Sequence, residues 1–251
     1  MAKKILFAGE SWMSFTTHVK GFDSFTTSVY EEGATELIAG LRRDGFQVDY
    51  VPNHIAGSQL PTTLAGFQEY DAIILSDIGS NTLLLTDNTF VHGQTTPNRC
   101  ELIRQYVLGG GALLMIGGYM SFCGIDAKAR YGSTAIADVL PVVCLDTDDR
   151  VECCEGARGT VVSEHPVVEH ISGEWPAVLG YNKTKRHEKG LVLAEICGDP
   201  LIAVGDFGEG KSAVYTSDCS PHWGTREFMD WEYYSVLWKR ILDYITSERK
   251  K

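Results

Sequence analysis

Helix-type and strand-type periodicities alternate along this chain, and that alternation predicts an α/β fold built on a mostly parallel sheet. Two apolar runs support it: DAIILS (Asp71 to Ser76) and ALLMI (Ala112 to Ile116) show no polar alternation, as expected of strands buried on both faces. The third observation is the glycine frame of the second run, GGGALLMIGGYMSFCG from Gly109 to Gly124. A strand that breaks at once into a Gly117-Gly118 turn delivers the next residues to the carboxyl edge of the sheet. Open α/β folds bind ligands at that edge.

Lys3 to Gly9 (KKILFAG) reads as a first buried strand, followed by a long loop from Glu10 to about Tyr30. Glu31 to Asp44 has helical spacing, with Ala34, Leu37, Ile38 and Leu41 on one face and Gly45 as the stop. Phe46 to Val51 and Asp71 to Ser76 are the second and third strands. Asn98 to Leu108 is a helix that leads into the glycine-framed fourth strand. This order predicts a doubly wound, flavodoxin-like three-layer sandwich. After Pro141 the texture becomes β-rich: Val142 to Leu145, Arg158 to Ser163, Leu191 to Cys197, Leu201 to Asp206 and Ser212 to Ser217. The turn signals Gly198-Asp199-Pro200 and Gly208-Glu209-Gly210 join these segments, and the last two form a hairpin. Asp230 to about Ser247 is a closing helix with Trp231, Tyr234, Trp238, Ile241 and Ile245 on one stripe. Without internal repeats or a low-complexity linker, 1–251 reads as one domain with a β-rich C-terminal elaboration over roughly 142–217.

Of the 251 residues, 22 are Lys or Arg and 33 are Asp or Glu, a formal charge of -11. That excess repels phosphate backbones and anionic membranes, so nucleic acid and lipid are not expected partners. The basic clusters Lys183-Lys185-Arg186 and Arg249-Lys250-Lys251 read as solvated surface. The apolar stretch Ile5 to Ala8 is too short for a signal core, and no run reaches the roughly 18 residues of a membrane span. Seven cysteines, odd in number and without CxxC spacing, suit a reducing cytoplasm. Cys153 and Cys154 would point to opposite faces of a strand, which does not suit a shared metal. No phosphate-binding loop is present, because Gly109 to Gly111 precede their strand. The run Asp146-Asp148-Asp149 lacks the frame of a calcium loop and, like His187, reads as a solvated turn. No cofactor and no metal are expected.

The chemistry-bearing residues gather around the predicted carboxyl edge. A helix starting near Ser121 would aim unpaired amides at Cys123 and lower its pKa, or Ser121 would cap that helix. His222, in SPHWG after a buried strand, is the strongest single candidate, with Asp218 placed to orient it as a general base. The segment from Glu10 to Thr27 carries Glu10, Ser11, His18 and Lys20 among aromatics, and is expected to act as a lid or as an arm onto a neighbouring subunit. Asp77 ends the third strand and reaches the same edge or caps the next turn.

GESW (Gly9 to Trp12), HVKGFDSFTTS (His18 to Ser28), the Gly109 to Phe122 run and YTSDCSPHWG (Tyr215 to Gly224) together resemble the glutamine amidotransferase-like family of cytoplasmic proteins. The wider superfamily resemblance implies a cysteine nucleophile on the elbow and a histidine with a glutamate two residues on. In this sequence Tyr119 stands at the elbow position and Gly224 at the glutamate position, while His222 falls in place. A phenol is a poor nucleophile at neutral pH.

Two function classes follow. In the first, Cys123 or Ser121 attacks a small amide or ester carbonyl, His222 is the base, and amides near Gly118 and Tyr119 hold the oxyanion. Glu10, Ser11, His18, Lys20, Asp77 and Trp223 would line the substrate site. In the second, the chain is a non-catalytic small-molecule binding or assembly module, with a homo-oligomer as one form. A third reading, within the enzyme class, is a hydrolase or isomerase that uses His222 and carboxylates without a covalent intermediate.

Overall fold

The computed structural model describes residues 2–171 and 173–247, so the Arg249 to Lys251 cluster lies outside the described residues. Fourteen strands are described in chain order: β1 (Lys4–Gly9), β2 (Ser11–Lys20), β3 (Asp23–Glu32), β4 (Gln47–Val51), β5 (Ala72–Ser76), β6 (Ala112–Ile116), β7 (Val142–Cys144), β8 (Arg150–Ala157), β9 (Thr160–Val161), β10 (Val178–Asn182), β11 (Thr184–Arg186), β12 (Gly190–Ile196), β13 (Asp199–Phe207) and β14 (Gly210–Tyr215). Eight of them form one sheet in the order β4-β1-β5-β6-β14-β13-β12-β9. The first five run parallel, and β13, β12 and β9 extend them antiparallel.

Alternation along the strands separates two apolar layers. Ile5 and Phe7 of β1, with Leu114 and Ile116 of β6, pack against the helices Thr35–Arg43 and Tyr234–Ile245. Leu6, Ala8, Leu113 and Met115 point the other way, onto the helices Asn53–Gln59 and Arg99–Leu108. Both faces are therefore dry, which is why these strands read as unbroken apolar runs. The parallel strands follow the 2-1-3-4-5 order of flavodoxin-like sheets, with the topological switch between β1 and β5. The expected three-layer α/β architecture is the observed one.

Three local expectations are corrected. The segment after β1 is not a loop: β2 and β3 form a ten-residue-a-side hairpin in full register, turned at Gly21 with φ +67°. Most of its residues are exposed on both faces, so it carries no inside-outside alternation for a sequence reading to detect. Arg158 to Ser163 supplies only the two-residue β9. The longer ribbon β8-β10 was not expected there. No α-helix follows the β6 elbow; the next helical turn is the 3-10 segment Ile125–Ala127.

Candidate functional site

Four parallel strands deliver their carboxyl ends to one place. Glu10 follows β1, Asp77 follows β5, Gly117 to Tyr119 follow β6, and Thr216 to Ser220 follow β14. Glu10 and Asp77 both sit in left-handed backbone, at φ 52° and 43°. Each such non-glycine residue costs on the order of 1 kcal/mol or more, and strain of this kind gathers at functional sites.

Glu10 is fully buried. Ser76 Oγ donates to its Oε2 at 2.5 Å and Ser220 Oγ to its Oε1 at 2.7 Å. Burial, reinforced by the charge of Asp77, pushes its carboxyl up to about 7. Asp218 is also fully buried; the Ser220 amide donates to Oδ1 at 3.1 Å, while Oδ2 meets no hydrogen-bond partner. Desolvation, then the charges of Glu10 and Asp77, raise its pKa well above the usual carboxylate range. Asp77 is raised by burial too, although the Met120 amide (2.6 Å to Oδ1) and the charge of His222 hold it back. The result is a proton-retaining carboxyl cluster beneath the sheet edge. Among the described residues, donor atoms of Glu10, Asp218 and Cys219 lie within 4.8 Å of one another, near enough to converge on a small cation. Both Glu10 oxygens already accept serine hydroxyls.

Above the cluster lies an aromatic rim. The His222 ring stacks on Tyr119 at 5.6 Å and 11°, and Trp12 leans on His222 at 4.6 Å. Trp223 meets Tyr119 edge-on at 5.4 Å, and the Arg150 guanidinium lies 5.5 Å from the Tyr119 ring centre. The stretches near positions 10, 120 and 220 meet here, whereas the segment near position 20, expected at the same rim, lies out along the hairpin. His222 is exposed, whereas Trp223 is buried and donates Nε1 to Glu152 at 3.0 Å, which makes Trp223 a wall of the rim. A cavity of about 190 Å³ lined by Ser11, Trp12, Met13, Tyr30, Asn53 and His54 adjoins the same edge.

The proposed nucleophiles are placed elsewhere or already engaged. Ser121 Oγ is buried, donates to the Ile116 carbonyl at 2.5 Å and accepts from the Asp77 amide at 3.1 Å. Cys123 faces a separate cavity of about 200 Å³ with Arg130, Cys144 and Asp146. Burial, then Asp149, Asp146 and Asp148, push its thiol upward, the reverse of the thiolate expected from a helix N-terminus. Tyr119 keeps a negative φ, and the positive values fall on Gly118 (144°) and Phe122 (50°), so the elbow tyrosine is not in the strained pose of a presented nucleophile. The Gly118 amide, expected to hold an oxyanion, donates instead to Asn182 Oδ1 at 3.0 Å.

Asp218 and His222 are not paired. Asp77 is the carboxyl that feels the His222 charge. Ser11 is buried and fixes Asn53 through a 2.8 Å bond from that residue's amide. His18 and Lys20 sit on the outer half of the hairpin, opposite Phe25 and Asp23, six and eight residues beyond Trp12 and roughly 20 Å or more along the strand. They do not join the site.

Sequence reasoning missed Asn182 and Asp149. Asp149 was read as a solvated turn, yet it is buried and accepts from the Cys123 and Gly124 amides at 2.7 and 2.9 Å. Only the tertiary fold brings these two polar side chains to the elbow, and no local spacing announces it.

The family described as "Putative glutamine amidotransferase" matches residues 4–247. This chain belongs to that family. Two structures from Salmonella typhimurium resemble the family member closely. Cytoplasmic Protein STM3548 shares 49% identity, covering 98% of this chain and 99% of that one, with a TM-score of 0.94. Cytoplasmic Protein STM1381 from strain LT2 shares 50%, covering 97% and 100%, also at 0.94. A ThuA-like protein from Bacteroides uniformis shares 12% identity at a TM-score of 0.57, covering 99% and 93%, a likeness of fold alone. No curated protein matches. Among the described residues no helix is long and apolar enough to cross a membrane.

Proposed function

We propose that this family member binds a small polar ligand at the carboxyl edge of its sheet and does not hydrolyse glutamine through a thiol. One observation carries the reading: Tyr119 occupies the elbow in relaxed backbone while Asn182 caps the amide that would face an oxyanion. A thiol route needs a presented thiolate and a free donor pair. The site supplies other chemistry. The Trp12–His222–Tyr119 rim offers ring edges and an exposed imidazole, and Asp77 beneath it offers a carboxyl. In a chain of charge -11, such a rim suits a neutral or cationic ligand with a flat or C–H-rich face. A cytoplasmic setting accords with the cysteine usage and with the description of both Salmonella relatives.

The test is a thermal-shift panel of small amides, amines and sugars on the full chain, run beside an assay for ammonia release from glutamine. The expected result is stabilisation by one ligand class, lost in Trp12→Ala and His222→Ala, with no ammonia released. Ammonia release that Cys123→Ala abolishes would overturn the reading.

A further inference from the structure

The β2-β3 hairpin has two unlike faces. In its register Met13 opposes Tyr30, Phe15 opposes Ser28, Thr17 opposes Thr26 and Val19 opposes Ser24, so these eight share one face. None of these eight is charged; Glu32, opposite Ser11, ends the same face at the root and accepts from the Tyr30 hydroxyl at 2.7 Å. The other face carries Trp12 with Glu31, His18 stacked on Phe25, and Lys20 opposite Asp23. On the uncharged face Phe15 is 71% and Val19 72% exposed, and Phe22 at the tip is bare. An isolated two-stranded ribbon is marginal in water and needs a further layer on its apolar face.

We infer that the uncharged face of this arm docks on the same face of a second copy of the chain. Three features select that occupant. Phe15, Phe22 and Tyr30 alone expose roughly 400 Å² at about 200 Å² per full aromatic side chain. Met13, Val19 and the four hydroxyl residues extend that toward the roughly 800 Å² each partner gives a stable interface. Copies of charge -11 repel wherever carboxylates meet, so an uncharged face is where two of them approach. A basic partner would be drawn to the acidic body instead.

The third feature is the spacing. Phe15 and Val19 lie two residues either side of Thr17, whose Oγ1 is 3.1 Å from Thr26 Oγ1. A two-fold axis through Thr17 lays Phe15 of one copy over Val19 of the other. The same rotation sets the Gly21-Phe22 tip against the Met13–Tyr30 pair at the partner arm's root. The large tip side chain thus meets the widest apolar pair, as a self-complementary contact requires.

Sedimentation velocity on the full chain at about 10 µM tests this, with Phe15→Asp/Val19→Asp as the disrupting variant. Thr17→Cys is the axial probe and Thr27→Cys, on the opposite face, is its control, both in a Cys154→Ser/Cys197→Ser background and joined by a bis-maleimide that spans the roughly 10 Å between facing sheets. The expected result is a dimer or an assembly of dimers, at least tenfold weaker association in the double variant, and a cross-linked pair from Thr17→Cys only. The arm lies outside the core, so circular dichroism of the double variant stays that of the parent. A monomeric parent overturns the inference, as does an assembly indifferent to the double aspartate. Equal cross-linking at Thr17→Cys and Thr27→Cys, or gain of mass only with other cellular proteins, overturns it too.

Discussion

Asn182, at the end of β10, holds both sides of Gly118: its Oδ1 accepts from the Gly118 amide at 3.0 Å and its Nδ2 donates to the Gly118 carbonyl at 3.1 Å. The same Nδ2 donates to Asp149 Oδ1 at 2.9 Å, and Asp149 in turn holds the Cys123 and Gly124 amides. One buried side chain thus locks the whole turn after β6.

Replacing it exposes the size of that lock. Asn182→Leu leaves the Gly118 amide, its carbonyl and the Asp149 carboxylate each short of a buried partner. At 1–3 kcal/mol per unsatisfied group, less what relaxation recovers, the loss is about 3 kcal/mol. Urea unfolding should show that loss with an unchanged m-value; a change under about 1 kcal/mol would mean the clamp is redundant.

Stability should fall as pH rises through neutrality. Glu10 titrates near 4.5 in the unfolded chain and near 7 when folded, so the folded state holds the extra proton between those values. Its contribution is complete below about pH 4.5 and lost as pH climbs through 7, amounting to about 3 kcal/mol at pH 8. Asp77 and Asp218 shift in the same direction. Glu10→Gln cannot ionise, so parent and variant should diverge between pH 5 and pH 8 in melting experiments, with the variant favoured at the alkaline end. Parallel curves would deny the raised carboxyl.

Cysteine reactivity should rank by exposure. Cys154 and Cys197 are exposed, whereas Cys100, Cys123 and Cys219 are buried and their thiols are pushed upward. Iodoacetamide at pH 7.5, read by peptide mass mapping, should modify the exposed pair first. Early modification of Cys123 would restore it as a candidate nucleophile.

Gly33 closes the roof over the carboxyl cluster. A methyl group there would collide with Ser220 Oγ and Glu10 Oε1, the two atoms of one hydrogen bond. Gly33→Ala should therefore cost about 2 kcal/mol and weaken the pH dependence described for Glu10. An unperturbed melting temperature would show that the roof yields freely.

The parallel sheet, the Arg99–Leu108 helix and the closing helix were legible because burial on one or both faces writes itself into the spacing of apolar residues. Asn98, for instance, accepts from the Glu101 amide as an N-cap should. The β2-β3 arm was not legible as strands, since neither of its faces is covered and its threonines and serines read as loop. The convergence of Glu10, Asp77, Tyr119 and His222 followed from strand order alone. The clamp of Asn182 and Asp149 did not, because it joins residues 33 to 64 positions apart through the irregular turn. The Asp218-His222 pair is absent for a different reason: nearness in sequence does not keep the buried aspartate and the exposed imidazole on one level.

The insertion of β14 between β6 and β13 has a consequence for biogenesis. Until residues 210–215 leave the ribosome, a nascent chain holding the first four parallel strands presents the bare amides and carbonyls of ALLMI to its surroundings. That raw border is the most adhesive segment such an intermediate owns, and truncated products ending before Gly210 should require chaperone custody to stay dispersed.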